Sequence, residues 1–119
     1  MFGLVTRRVG NIFVIDLEGE VDVYTAPQLR QTIMEQATTD PCQVVNLTKV
    51  DYLDSTALGV LIGGLSCLRQ VAGNLVLVCS STDRVHRALK NTGTDKFFDI
   101  YDSVEDAVSA INAEPLPAA

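Results

Sequence analysis

One continuous apolar run, within residues 74–80 (NLVLVCS), constrains this chain more than any other feature. With it goes a shorter buried-strand candidate, 43–47 (QVVNL), and each lies between segments of helical period. A strand that faces water on one side alternates apolar and polar residues. A strand apolar at successive positions belongs to a sheet covered by helices. The remaining signals fit that frame. Val9-Gly10-Asn11 is a turn between strand candidates at 4–8 and 12–18, which together read as a hairpin. Gly19 through Tyr24 reads as a loop. Thr25 can cap a helix with Pro27 in its first turn and Leu29, Ile33, Met34 and Ala37 at helical spacing, and Asp40-Pro41 ends it.

A second helix is expected over about 55–71, closed by Gly73. Ser81 or Thr82 would cap a third, RVHRALKNTG, which Gly93 stops at a C′ position. Phe97, Phe98 and Ile100 suggest a last short strand, and Ser103 caps a terminal helix reaching about Asn112. The order β-β-α-β-α-β-α-β-α predicts an α/β fold. Its sheet is mainly parallel with right-handed crossovers, and the opening hairpin adds an antiparallel edge. Residues 1–112 are expected to form a single domain and 113–119 (AEPLPAA) a flexible tail.

Composition narrows the function. A net charge of −6 leaves no basic stripe to displace counterions from phosphates, which argues against nucleic acid and for a protein partner with basic contacts. Cys42, Cys67 and Cys79 form no CxxC pair and are odd in number. Neither a disulfide framework nor a thiolate zinc site is expected, and a reducing cytoplasm is the simpler setting. The N-terminal MFGLVTRRVGN lacks the apolar core of a signal peptide. The longest uncharged run, 55–68, is too short and glycine-rich to span a membrane.

Enzyme readings find little support. No GxGxxG or GxxxxGK[ST] loop is present, so no nucleotide cofactor is expected. The single histidine, His86, sits on a basic helix apart from any candidate triad. Asp51 and Asp54 lack the companions of a metal loop. Catalytic residues, cofactor and metal are therefore all expected to be absent.

The stretch VDYLDSTALGVLIGG, residues 50–64, raises a sharper question. Asp54-Ser55-Thr56 stands where a helix begins, so a hydroxyl or carboxylate there serves naturally as an N-cap. At about 100° per residue, Val60, Leu61, Leu65, Cys67, Leu68 and Val71 share one face centred near Ala57 and Leu68. Gly59, Gly63, Ser66 and Gln70 fall opposite, with Leu58 and Ile62 on the flank. A glycine inside a helix costs about 0.5–1 kcal/mol relative to alanine. Two on the outward side suggest either close approach of a neighbouring loop or a smooth strip on which another protein's backbone can lie.

Ser55 sits where that strip starts, beside unpaired N–H groups and the positive end of the helix dipole. A phosphate there carries about −1.5 to −2 charges and can be held by those N–H groups, leaving the fold intact. It would also place a large anion inside a docking surface. Position alone leaves two readings of Ser55 open, a plain cap and an on/off switch.

Asp54-Ser55-Thr56-Ala57-Leu58-Gly59 resembles the D-S-[ST]-G-L-G segment of bacterial anti-sigma-factor antagonists, small members of the STAS family. LEGEVDVYTAPQL (17–29) resembles that family's G-E-[LIV]-D loop. VVNLTKVDYLDS (44–55) and GNLVLVCSS…VHRALKNTG are similar to its later segments, so the likeness covers nearly the whole chain. The resemblance implies a small mixed sheet of four to five strands with helices mainly on one face. It implies that the unphosphorylated protein binds an anti-sigma factor, itself a serine kinase of the histidine-kinase-like ATPase class, and so frees the sigma factor. Phosphorylation by that kinase would release it, and a PP2C-type phosphatase would restore it.

Carried over by position, Ser55 matches the phosphoacceptor, Asp54 its preceding acid and Asp22 the loop acid that faces the partner. Thr56, Leu58, Gly59, Ile62 and Gly63 would complete the partner-binding surface, with Glu20 and Thr25 as weaker members. Ala57 stands where typical members have glycine, and the helical wheel directs its methyl toward the core. A cytoplasmic monomer or weak dimer is expected. The rival implication is an adaptor subunit of a lipid-transport or stressosome-like assembly, without serine switching.

Overall fold

The structure is a computed structural model that describes residues 1–113. Strands β1 (Phe2–Val9), β2 (Ile12–Val21), β3 (Cys42–Leu53), β4 (Asn74–Val78) and β5 (Ile100–Tyr101) form one sheet in the order β1-β2-β3-β4-β5. Four helices accompany them: α1 (Ala26–Gln36), α2 (Ser55–Gln70), α3 (Arg84–Asn91) and α4 (Val104–Ala113). β1 and β2 pair antiparallel, and every later pair is parallel. Each parallel step moves one strand across in the same direction. Right-handed crossovers then place α1, α2 and α3 on the same face.

The core confirms that arrangement. Ile15, Leu17, Val45, Leu47, Leu75 and Leu77 cluster with Leu29 and Ile33 of α1, Leu61, Leu65 and Leu68 of α2, and Val85 and Leu89 of α3. On the other face Val14, Val44, Val76 and Val78 meet Val104, Ala107 and Val108 of α4. Successive strand residues point to opposite faces. Val44-Val45 and Leu75 through Val78 are apolar at successive positions because each strand is covered on both faces.

Several expectations need correction. β2 continues to Val21, because after a register shift at Gly19 the pairs Glu20–Tyr52 and Val21–Leu53 extend the ladder. The expected Gly19–Tyr24 loop therefore shrinks to Asp22–Thr25. β4 stops at Val78. α3 has Asp83, not Ser81 or Thr82, at its N-cap position, while Gly93 takes the expected left-handed conformation at φ 73°. The segment read as a strand around Phe97 is a 3-10 turn, Thr94–Phe97, followed by the two residues of β5. Ser103 Oγ accepts from Asp106 N–H at 3.1 Å, the expected cap of α4. Ala113 belongs to that helix, and the rest of the expected tail, 114–119, lies outside the described residues.

The end of α2 differs in a more instructive way. Ala72, with φ 60°, supplies the left-handed residue. Gly73 N–H donates to Leu68 O at 2.7 Å and Ala72 N–H to Arg69 O at 3.1 Å, which is a Schellman closure with alanine at C′. Gly73 is needed for another reason: a Cβ there would lie 1.9 Å from the Pro41 carbonyl oxygen.

Candidate functional site

Strand β3 delivers Asp54 to the start of α2 in extended conformation, φ −96° and ψ −179°. Its carboxylate is divided between two tasks. Oδ1 accepts from Ala57 N–H at 2.9 Å and caps α2, while Oδ2 accepts from Val23 N–H at 3.1 Å and ties in the β2–α1 loop. The plain cap is thus Asp54, and Ser55 is the first helical residue, exposed, as is Thr56. Of the first-turn amides, Ala57 N–H goes to Asp54 Oδ1 and Leu58 N–H to the Asp54 carbonyl at 3.0 Å. The amides of Ser55 and Thr56 remain at the positive end of the helix.

The tethered loop is internally braced. Asp22 Oδ1 accepts from Tyr24 N–H at 2.9 Å and Thr25 N–H at 3.2 Å, as an aspartate does in a tight turn. Thr25 holds the N-cap position of α1 without capping it. Its hydroxyl accepts from Asp22 N–H at 2.9 Å and donates to Glu20 O at 3.1 Å. Asp22 and Thr25 therefore share one loop, braced onto Glu20 at the end of β2 and fastened beside Ser55 by the Asp54 carboxylate. Glu20 is exposed and Asp22 half-buried.

Along α2 the outward strip is real. Gly59 and Gly63 are exposed, and a Cβ added at either would meet nothing within 4 Å, so no neighbouring loop requires them. Ile62 is 37% exposed beside them. With Arg30, Met34, Thr56 and Val60 the two glycines line a shallow groove between α1 and α2. Leu58 is a correction: at 8% exposure it belongs to the core, so it supports this surface from below. The buried face runs through Ala57, Leu58, Leu61, Gly64, Leu65 and Leu68. Val60 and Cys67 are only half-buried, and Val71 is exposed. Gly64 is the helix-packing glycine, since its Cβ would stand 3.2 Å from Ile33 Cδ1 of α1. Ala57 is fully buried, as the wheel placed it.

Sequence reasoning passed over Val23, Tyr24 and Tyr52, which are exposed beside the acids just described. The available signal was an apolar pair, Val23-Tyr24, inside a predicted loop. Among the described residues no group of three or more His, Cys, Asp or Glu side chains could hold a metal ion. Burial, with Asp83 and Asp102 nearby, pushes the Cys79 thiol up to about 11. Among these residues no helix is long and apolar enough to cross a membrane.

The STAS-domain family profile matches residues 4–107. An anti-sigma-B factor antagonist of Listeria monocytogenes is 37% identical over 100 residues, covering 83% of this chain and 86% of its own. The crystal structure of an anti-sigma factor antagonist from Mycobacterium paratuberculosis superposes with a TM-score of 0.82 at 28% identity, over 94% of this chain and 95% of its own. The Bacillus cell fate determinant SpoIIAA, in its phosphorylated form, shares the fold with a TM-score of 0.71 at 21% identity, over 92% of this chain and 99% of its own.

Proposed function

The chain belongs to the STAS-domain family, and on that footing we propose that it is an anti-sigma factor antagonist whose docking is switched off by phosphorylation of Ser55. The observation that carries this reading is the division of labour at the head of α2. Asp54 does the capping, so the exposed Ser55 hydroxyl is not committed to holding the helix. In the unmodified state the partner lies across the Asp22–Thr25 loop and the Gly59–Gly63 strip. That partner is an anti-sigma factor which is also a serine kinase of the histidine-kinase-like ATPase class, and its capture frees a sigma factor in the cytoplasm.

Transfer of the ATP γ-phosphoryl group breaks its bond to the ADP oxygen and forms a bond to Ser55 Oγ; the hydroxyl proton passes to solvent and ADP stays on the kinase. The product phosphate stands next to Asp54, within the proposed docking surface. Like-charge repulsion and the desolvation of about two new charges both favour dissociation. The amides of Ser55 and Thr56 can hold the phosphate on the free protein, so the fold survives. A PP2C-type phosphatase returns the hydroxyl. The test is intact-mass measurement after incubation with ATP and the purified kinase. Wild type should gain one phosphoryl group and Ser55→Ala none, whereas modification of Ser55→Ala would place the acceptor elsewhere.

A further inference from the structure

Three large hydrophobic side chains stand in solvent near the ends of β2 and β3: Tyr24 at 88% exposure, Val23 at 54% and Tyr52 at 52%. Their backbone is fixed. Val23 N–H is bound by Asp54 Oδ2, Tyr24 N–H by Asp22 Oδ1, and Tyr52 pairs with Glu20 across the β2–β3 ladder. Acids accompany them: Glu20 opposite Tyr52, Asp22 and Asp54 on the loop amides, and Asp51 next to Tyr52 in the chain. We propose that Tyr24, flanked by Val23 and Tyr52, is the anchor that seats this chain in its partner, and that the partner presents an apolar pocket rimmed by Arg or Lys side chains. The proposal rests on the switch reading above and names the chemistry of the partner's half.

The folded protein gains nothing internally from a tyrosine ring held in water, whereas a partner's pocket would gain its full apolar area. Anchor residues at interfaces are enriched in tyrosine and sit in desolvated pockets. Holding the loop backbone in place beforehand removes part of the ordering cost of association. Charge selects the occupant. A second copy of this chain would bring four acids against four, while a basic rim would complement them and speed encounter. The rim faces the loop acids. Ser55 follows Asp54 at the head of α2, where the glycine strip begins.

The test uses the full chain and a panel of the purified histidine-kinase-like serine kinases encoded by its source organism, with affinities read by calorimetry. Tyr24→Ala should weaken binding about 30-fold or more. Tyr24→Phe, which keeps the ring, should stay within about threefold of wild type. Asp51→Lys should slow association. The thermal midpoint of Tyr24→Ala should match wild type, because the side chain is exposed. If Ser55→Asp binds poorly but Tyr24→Ala binds within about twofold of wild type, the anchor is wrong and the switch stands. The reverse pattern upholds the anchor and removes the switch. Wild type binding no member of the panel overturns both. Sedimentation showing a wild-type dimer that Tyr24→Ala dissolves would overturn the proposal in favour of a second copy.

Discussion

Asp54 has a structural task on each carboxylate oxygen, and that leaves its neighbour Ser55 without one. Loss of an N-cap costs about 1 kcal/mol and the tether to Val23 adds to it, so Asp54→Ala should lower stability by about 1–2 kcal/mol. At this chain length that is a fall of roughly 4–8 °C in thermal midpoint. Asp54→Ser should recover the cap but not the tether, and Ser55→Ala should melt with wild type. A large loss in Ser55→Ala would show that the hydroxyl is structural after all. The cap region was readable in the sequence because Asp, Ser and Thr precede a helical apolar run. Which of the three caps was not readable, since all are good N-cap residues. The tether was hidden too, because it joins residues 31 apart through the shifted β2–β3 register.

Within α2 and its exit, residues of the same type answer to different neighbours. Gly59→Ala and Gly63→Ala should each stabilise the fold by about 0.5–1 kcal/mol, because their added methyls meet only open space. Gly64→Ala should gain less than either, since its methyl presses on Ile33. Ala72→Gly should stabilise by about 1 kcal/mol by relieving a left-handed alanine, and Gly73→Ala should destabilise by forcing Pro41 aside. Denaturant midpoints on this set check all five. Periodicity located the helix and its end, yet it put the stop on Gly73, the usual left-handed residue. The actual reason for that glycine lies at Pro41, on a different segment. The wheel was rotated by the same kind of blindness. Gly64 turns inward because Ile33 of α1 packs on it, Leu58 joins the core, and one helix's pattern does not reveal its neighbour.

Across the whole molecule, the alternation of apolar runs and helical segments was enough for the element order and for a mainly parallel sheet covered by helices. Strand ends were not, because Glu20, Val21, Tyr52 and Leu53 are strand only by pairing with each other. Ion pairs that join distant segments were equally invisible. Arg8 donates to both oxygens of the buried Asp40 at 2.8 Å each. Those bonds, with Arg8's charge and Gln36, hold the Asp40 carboxyl below the usual carboxylate range against its burial. Desolvation pushes Asp16 up, but hydrogen bonds from Arg7 and Asn46 together with nearby positive charge outweigh it and hold it low as well.

A carboxyl with a depressed folded pKa contributes stability above its unfolded value of about 4, and that contribution is lost as pH falls through the folded value. Wild type should therefore weaken below about pH 4. Arg8→Ala should be less stable at neutral pH and lose less on further acidification, so the two stability curves converge in acid. Curves that stay parallel would remove Asp40 from the account.

The same whole-molecule view makes the proposed docking surface separable from the fold. Gly59→Arg or Gly63→Arg should weaken kinase binding with little change in melting, because arginine is a good helix former on an open face. A collapse of the fold would mean that the strip serves internal packing. The most direct measurement is a calorimetric titration of the purified kinase with this protein, unmodified and carrying phosphate on Ser55, with thermal melts of both forms. The account predicts at least about tenfold weaker binding for the phosphorylated form, a coupling of about 1.4 kcal/mol or more, with both forms folded. Equal affinities, or a phosphorylated form that has lost its fold, would contradict it.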